Sequence, residues 1–472
     1  MKEKYGALIK DLFLFMISTF IPKAISFFLV PLYTNCLTTA EYGKADLLST
    51  TVGLTIPLLT LDINDAVMRF TIENKNDERP FQIGMITVLK GIVLVITVVI
   101  INGILGIIEI NDKIGLFFVL NYTFISIYGI CLAYLRAIGR VKILSAISIV
   151  VTVGTIFSNI LFLLVLRIGL TGYMISGCIG YAIADILILY KIDALKLLKH
   201  RNGLKDNLKR QMIEYSAPLI AANISWWINS SADRYFITAM CGVDANGIYS
   251  VAYKIPTILQ MLQSVFSQAW LLSVFREYKS DNGTVYVGNV YEIYYVAMSI
   301  SCAVLIALDI PLARFLYAKD FFIAWKYVPL LLLSVVFIAN AGFFESLLTL
   351  QKKSKLVAGT TVIGAVVNIV LNFILINLIG IMGAAIATIC GYFVMWVTRI
   401  WPVMKEYPFF INWSKSIVLY ILLCVEIVLM VLFQNYMACI FIIIVMCLLN
   451  VRIVKEVIEY GYEKLIIGKR GK

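Results

Sequence analysis

Hydrophobic residues run in blocks of about 20 along nearly the whole chain, and short polar turns separate the blocks. A block of that length crosses a hydrocarbon core of ~30 Å as one helix. The blocks predict crossings at roughly 12–33, 46–68, 83–108, 115–135, 143–166 and 170–190. After a polar break they resume at 214–235, 247–275, 287–313, 327–350, 356–378, 381–401, 415–434 and 436–451. The pattern reads as an all-α polytopic membrane protein of about fourteen transmembrane helices, and an even number places both termini on one side. The longest polar segment, 191–212, carries the chain's one histidine, His200, and reads as a basic cytoplasmic linker.

Composition agrees with this class. Of the 472 residues, 61% are hydrophobic and 14% charged, with a mean hydropathy of +0.91, more apolar surface than a soluble fold can bury. The net charge of +12 would suggest nucleic acid in a soluble protein. Its placement says otherwise. With the N-terminus in the cytoplasm, 30 of the 40 Lys and Arg residues fall on the inner side, seven fall outside, and Lys23, Lys90 and Lys254 lie within helices. That alternating bias is a topology signal, so no nucleic-acid partner is expected. It predicts a multi-pass protein of a cytoplasmic membrane with both termini cytoplasmic. The first apolar block is too long for a cleavable signal peptide and lacks an A-x-A exit.

Little chemistry is left outside the helices. The nine cysteines are scattered without a CxxC and read as buried free thiols; Cys36 and Cys241 would lie near the same membrane face. No Ser/His/Asp set, metal cluster or phosphate loop is present, so no enzyme, cofactor or metal is expected.

The two halves resemble each other. PLYTNCLTTAEYGKADLL at 31–48 corresponds to FITAMCGVDANGIYSVAY at 236–253, each a helix end, a short turn with an acidic residue, and a glycine (Gly43 or Gly247) opening the next helix. Lys142 and Lys355, and Asn159 and Asn372, match at an offset of 213. The pairs Gly169/Gly172 and Gly380/Gly383 match at 211. The expected organisation is a six-helix lobe at 1–190, the linker at 191–212, a second six-helix lobe at 213–405, and two extra helices with a cytoplasmic tail at 406–472. Two like lobes related by a pseudo-twofold axis are a transporter signature, with a cleft between them for substrate.

The stretches PLYTNCLTTAEYG, DINDAVMRF and ADRYFITAMCGVDANGIYSVAYK, with a KKSK turn followed by Asn and GxxG, resemble Wzx-type polysaccharide flippases. These belong to the multidrug/oligosaccharidyl-lipid/polysaccharide exporter superfamily. The resemblance covers roughly residues 5–405. It implies twelve core helices in two lobes around a central cavity. The implied activity is ion-driven transfer of an undecaprenyl-diphosphate-linked oligosaccharide to the outer leaflet for O-antigen and lipopolysaccharide assembly. Implied partners are that glycan, a coupling proton or sodium ion, and polysaccharide polymerase and chain-length proteins. A multidrug cation antiporter of the same superfamily and a membrane glycan polymerase or ligase are the alternatives. The latter needs a substantial external loop, and the longest here lies around Arg314 to Lys326.

Candidate residues follow from charge in a place hostile to it, because one ionisable group at mid-bilayer costs about 2.5–3.5 kcal/mol. Lys23, mid-helix beside Pro22, and Lys254, beside Pro256, are the cavity cations. Helix eight is long enough to tilt or bend near Pro256. Asn223, Trp227, Ser230 and Arg234 share one face of the seventh crossing, and Arg234 with Asp233 sits at its outer end. Asp62, Asp65 and Arg69 share a face of the second crossing, with Asp65–Arg69 spaced as an i,i+4 pair. The substrate-binding set is Lys23, Lys254, Arg69, Asn223, Trp227 and Arg234. Asp62 and Glu345 are the coupling-ion candidates, Glu426 a weaker one, and Asp185, Asp309 and Lys90 lie near helix ends.

Overall fold

The computed structural model describes residues 24–74, 77–106, 112–194, 197, 206–277 and 282–455, and among these the chain is helical nearly throughout. It packs as two compact units, one running to Ser250 and including Ala318–Phe321, the other comprising Val251–Tyr317 and Phe322 onward.

The first unit contains α1 (Val30–Cys36), α2 (Thr39–Leu59), α3 (Ile63–Glu73), α4 (Arg79–Leu105) and α5 (Asp112–Ala137). It continues with α6 (Val141–Asn159, prolonged by a π-helical turn at Ile160–Val165), α7 (Gly169–Lys191), α8 (Asp206–Ser231), α9 (Asp233–Cys241) and α10 (Val243–Ala252, whose Val251 and Ala252 belong to the second unit). Its core is aliphatic and aromatic: Val67, Phe81, Tyr122, Ile130 and Ala184 are fully buried. Helices α8 and α9 and most of α10 therefore pack with the helices that precede them. Helix α2 begins at a capping box, in which the Glu41 amide donates to Thr38 Oγ1 (3.2 Å) and the Thr38 amide to Glu41 Oε2 (2.9 Å).

The second crossing is broken. Helices α2 and α3 meet at a 50° bend, Pro57 lies in the last turn of α2, and Leu61 and Asp62 take left-handed backbone angles (φ 55° and 49°). Asp62 thus sits in the break ahead of α3 rather than on the helical face with Asp65 and Arg69. The eighth crossing is interrupted too, at residues 253–255, where Pro256 cannot continue the hydrogen-bond ladder of α10.

The second unit holds α11 (Pro256–Glu277), α12 (Gly283–Ala307), α13 (Asp309–Leu316), a 3-10 segment (Lys319–Lys326, whose Lys319 to Phe321 belong to the first unit), and α14 (Val328–Leu350). Helices α15 (Ser354–Ile379), α16 (Ile381–Glu406), α17 (Trp413–Phe433) and α18 (Tyr436–Leu449) complete it. Stacked aromatic rings form its centre: Phe266 lies 3.9 Å from Tyr294 and Trp270 4.4 Å from Phe343, centroid to centroid.

Among the described residues, ten helices are long and apolar enough to cross a membrane, eleven when the bent α2–α3 pair counts as one span. Ala24–Cys36 and Tyr436–Leu449 are shorter apolar helices at the two ends. Helix α8 is set apart by its polar residues, opening with Asp206, Asn207, Lys209 and Arg210 and carrying Asn223 and Asn229 further along. Large apolar side chains such as Val93, Ile104, Phe157, Phe373 and Leu378 are exposed on α4, α6 and α15, as a lipid solvent requires. The chain is an all-α, multi-pass membrane protein. Its nine cysteines are free thiols, Cys36 and Cys241 included.

Candidate functional site

In the first unit, polar contacts stitch α2–α3 to α8–α10 from end to end. At one end Thr39 Oγ1 donates to Asp244 Oδ1 (2.5 Å), and Asn246 Nδ2 donates to the Gly43 carbonyl (3.1 Å). Gly43 and Gly247 permit this approach. A β-carbon on Gly43 would overlap the Val243 carbonyl oxygen, and one on Gly247 would overlap that of Thr39.

Next along the seam lies Arg234. Its Nε is 3.0 Å from Asp46 Oδ2 on α2, and its Nη1 donates to the Ser230 carbonyl (2.9 Å) and to Asp233 Oδ1 (3.2 Å). Asp233 is held further by the Tyr249 hydroxyl, which donates to Oδ2 (2.7 Å), and by the Arg234 amide (2.9 Å). Trp227 Nε1 donates to the Thr50 carbonyl (3.1 Å), and the Thr51 and Tyr235 hydroxyls meet at 2.6 Å.

The seam ends at the break. Asn223 Nδ2 donates to Asp62 Oδ2 (2.7 Å), and the Ser216 hydroxyl donates to the Asp62 carbonyl (3.2 Å). The two partners flank Pro218, so the broken span is anchored where α8 carries its own proline. Arg69 lies with its guanidinium 4.5 Å from the Tyr215 ring centroid and pairs with Glu73 (2.8 Å), one turn later in the chain, instead of with Asp65. Helices that associate in lipid gain little from apolar contact alone, so interhelical hydrogen bonds and close glycine approach carry much of the joint.

The seam thus brings together Asp62, Arg69, Asn223, Trp227 and Arg234. Lys23 lies outside the described residues, as does the middle of the 191–212 linker with His200.

Lys254 and Glu345 belong to the second unit. Lys254 is half-buried in the break between α10 and α11, and its ammonium has no hydrogen bond or ion pair with any described residue. It stands just before the N-terminus of a 22-residue helix, whose dipole adds positive potential. Glu345 is not sealed in the bundle. Its side chain is 47% exposed, and Oε2 accepts from Arg399 Nη1 (2.8 Å).

Arg399 is itself 1% exposed and is satisfied on several sides. Nε donates to Thr360 Oγ1 (3.1 Å), Nη2 to Thr361 Oγ1 (2.9 Å), and Nη1 also to the Ala341 carbonyl (3.0 Å). It ties α14, α15 and α16 together. By sequence it counts among the inner-side basic residues, although it falls inside the crossing drawn at 381–401, which was the available signal. Asp46 and Tyr249 were also missed, because their partners lie on other helices. Asp185, Asp309 and Glu426 are 4%, 0% and 0% exposed, so all three carboxyl groups are buried within the protein. Their carboxyl oxygens meet no hydrogen-bond donor among the described residues.

Comparison with known proteins places this geometry in a family. An uncharacterized membrane protein of Methanocaldococcus jannaschii, MJ1375, is 24% identical over 266 residues, which cover 52% of this chain and 61% of that relative. The aligned part thus spans less than two thirds of its length. The lipid II flippase MurJ in an inward closed conformation superposes with a TM-score of 0.67 at 18% identity, covering 96% of this chain and 100% of that one. A mutant of the Vibrio cholerae MATE transporter VcmN gives 0.59 at 14% identity over 85% of this chain and 97% of its own. At such identities the likeness is one of fold alone. The family model described as "Polysaccharide biosynthesis protein" matches residues 8–279, more than half of the sequence, and the chain belongs to that family.

Proposed function

We propose that the protein is a flippase. It moves an undecaprenyl-diphosphate-linked oligosaccharide repeat unit across the cytoplasmic membrane for surface polysaccharide assembly, O-antigen of lipopolysaccharide being one such product. The observation that carries this reading is Lys254, a cation without an ion pair among the described residues, at the helix break just ahead of the candidate membrane span Pro256–Phe275. A diphosphate supplies the missing negative charge, and a helix N-terminus beside it adds to the attraction.

Family membership supports a role in polysaccharide biosynthesis, and the MurJ-like fold supports transport of a lipid-linked glycan. In this reading Lys23 and Lys254 receive the diphosphate, while Asn223, Trp227, Arg69 and Arg234 supply polar and aromatic contacts. Transport follows alternating access driven by a proton or a sodium ion, with Asp62 and Glu345 as the coupling groups. The polymerase and chain-length proteins act after it, on the outer face, and both termini of the flippase face the cytoplasm.

The test is export in a strain whose own gene is deleted. Complementation by the wild-type chain should clear lipid-linked repeat units from the inner leaflet. Lys254→Ala or Lys23→Ala should leave them accumulating while the variant remains in the membrane. Normal export by both variants would remove the cationic site. Efflux of a cationic dye by the wild-type chain, without any effect on lipid-linked units, would instead establish the multidrug-antiporter reading that the MATE fold also allows.

A further inference from the structure

Four of the residues read as substrate contacts (Arg69, Asn223, Trp227 and Arg234) are already engaged inside the protein. Each takes a partner that resembles a part of the proposed cargo. Arg234 and Arg69 hold carboxylates, Asn223 a carboxylate oxygen, and Trp227 a carbonyl.

The two carboxylates on Arg234 are not equivalent. Asp233 is its chain neighbour, only 2% exposed in its side chain, with Oδ1 accepting from the Arg234 amide and guanidinium and Oδ2 from Tyr249. It is fixed. Asp46 reaches Arg234 from α2, and its Oδ2 lies 3.0 Å from Nε without the alignment of a hydrogen bond. A close but misaligned ion pair forgoes most of the directional strength of a guanidinium–carboxylate contact.

We infer that Asp46 is a built-in stand-in for the anionic headgroup: it occupies Arg234 in the closed seam and is displaced by a diphosphate when substrate enters. This rests on the flippase reading and deepens it. The physical reason is charge conservation. Arg234 is only 12% exposed, so pulling Asp46 away with nothing in its place would leave a partly buried guanidinium with less neutralisation. A diphosphate can take that place with more charge and with several oxygens able to align on the guanidinium, as the single misaligned Asp46 oxygen does not. Exchange of anion for anion releases α2 from α9 at that point. Of the contacts that flank it, Thr39–Asp244 and Thr51–Tyr235 are made by neutral hydroxyls, and Asn246–Gly43 and Trp227–Thr50 by neutral donors on carbonyls; water can replace each where it follows. Substrate binding and seam opening are then one event, and an uncharged lipid does not trigger it.

The full chain in phosphatidylcholine nanodiscs provides the test, with undecaprenyl diphosphate as the probe and undecaprenol as its uncharged control. Native mass spectrometry reads binding, and hydrogen–deuterium exchange reads the segments 39–51 and 233–249. In the wild-type protein the diphosphate should accelerate exchange in both segments and the alcohol should not. Asp46→Asn should show fast exchange without any lipid and should bind the diphosphate about tenfold more tightly, because the internal competitor is gone. A merely structural Asp46 predicts the opposite sign for binding. Binding that leaves exchange of the two segments unchanged, or that is unaltered or weakened by Asp46→Asn, overturns the inference and leaves the flippase reading in place. Failure of the wild-type chain to bind the diphosphate at all overturns both.

Discussion

Gly43 and Gly247 occupy matching positions in the two sequence repeats, and in the folded chain they pack against each other. The Gly247 amide lies 3.0 Å from where a Gly43 β-carbon would be, and the Gly43 amide 3.1 Å from that of Gly247. Each would press its methyl into the opposing backbone, which cannot rotate aside as a side chain can. Gly247→Ala is expected to cost about 3 kcal/mol, the upper end for overpacking a tight contact. Gly53→Ala on the same helix is the control, since its β-carbon would meet Trp227 Nε1 at an ordinary 3.9 Å. Thermal unfolding in detergent should show a lowered midpoint for the first variant and an unchanged or raised one for the second.

Leu61 holds a left-handed backbone angle without being glycine, a conformation that costs about 1–2 kcal/mol for a residue with a β-carbon. Leu61→Gly should relieve that strain and, after the extra unfolded-state entropy of glycine, stabilise the protein by about 0.5–1 kcal/mol. A clear drop in the unfolding midpoint would show that the Leu61 side chain matters more than the angle.

The Arg399–Glu345 pair is asymmetric, one member sealed and the other half exposed. Removing the exposed partner should hurt more than removing the buried one. Glu345→Ala strands a buried guanidinium and should cost about 2–3 kcal/mol, less than a fully buried pair because water already screens Glu345. Arg399→Leu leaves a carboxylate that solvent can reach and should cost about 1 kcal/mol, and the double variant should recover part of the Glu345→Ala loss. Denaturation of the three proteins side by side decides the order.

Lys254 makes a distinct prediction because its charge is not part of an internal pair. Lys254→Gln should fold as well as wild type and slow transfer of a lipid-linked diphosphate by about 10- to 100-fold, the loss of one charge-assisted contact. Lys254→Arg should keep much of the rate. Reconstituted proteoliposomes, with the outer-leaflet product assayed over time, supply the measurement.

The sequence made one kind of feature legible and hid another. The interruption before Pro256 could be read because proline acts locally, and the pairing of Arg234 with Asp233 could be read because they are adjacent. The break at Leu61–Asp62 was less legible, since Leu does not favour the left-handed region and Pro57, in the last turn of α2, lies four positions before it. Asp46 stands 188 positions from Arg234, and Glu345 stands 54 from Arg399. Such pairs exist only once helices from distant segments have docked. Helical periodicity shows which side of a helix is polar, and it cannot say whether that side faces water, cargo or another helix.

The distance in sequence across the seam also bears on how the protein is made. Thr39 meets Asp244, a partner 205 residues further along. At ribosomal speeds of about 5–20 residues per second, α2 waits on the order of 10–40 s in the membrane before that partner is synthesised. During that interval its Asp46, Thr50 and Thr51 have none of their α8–α10 partners. Helices α1–α7 are therefore an unfinished assembly, and maturation of the nascent chain turns on the arrival of α10.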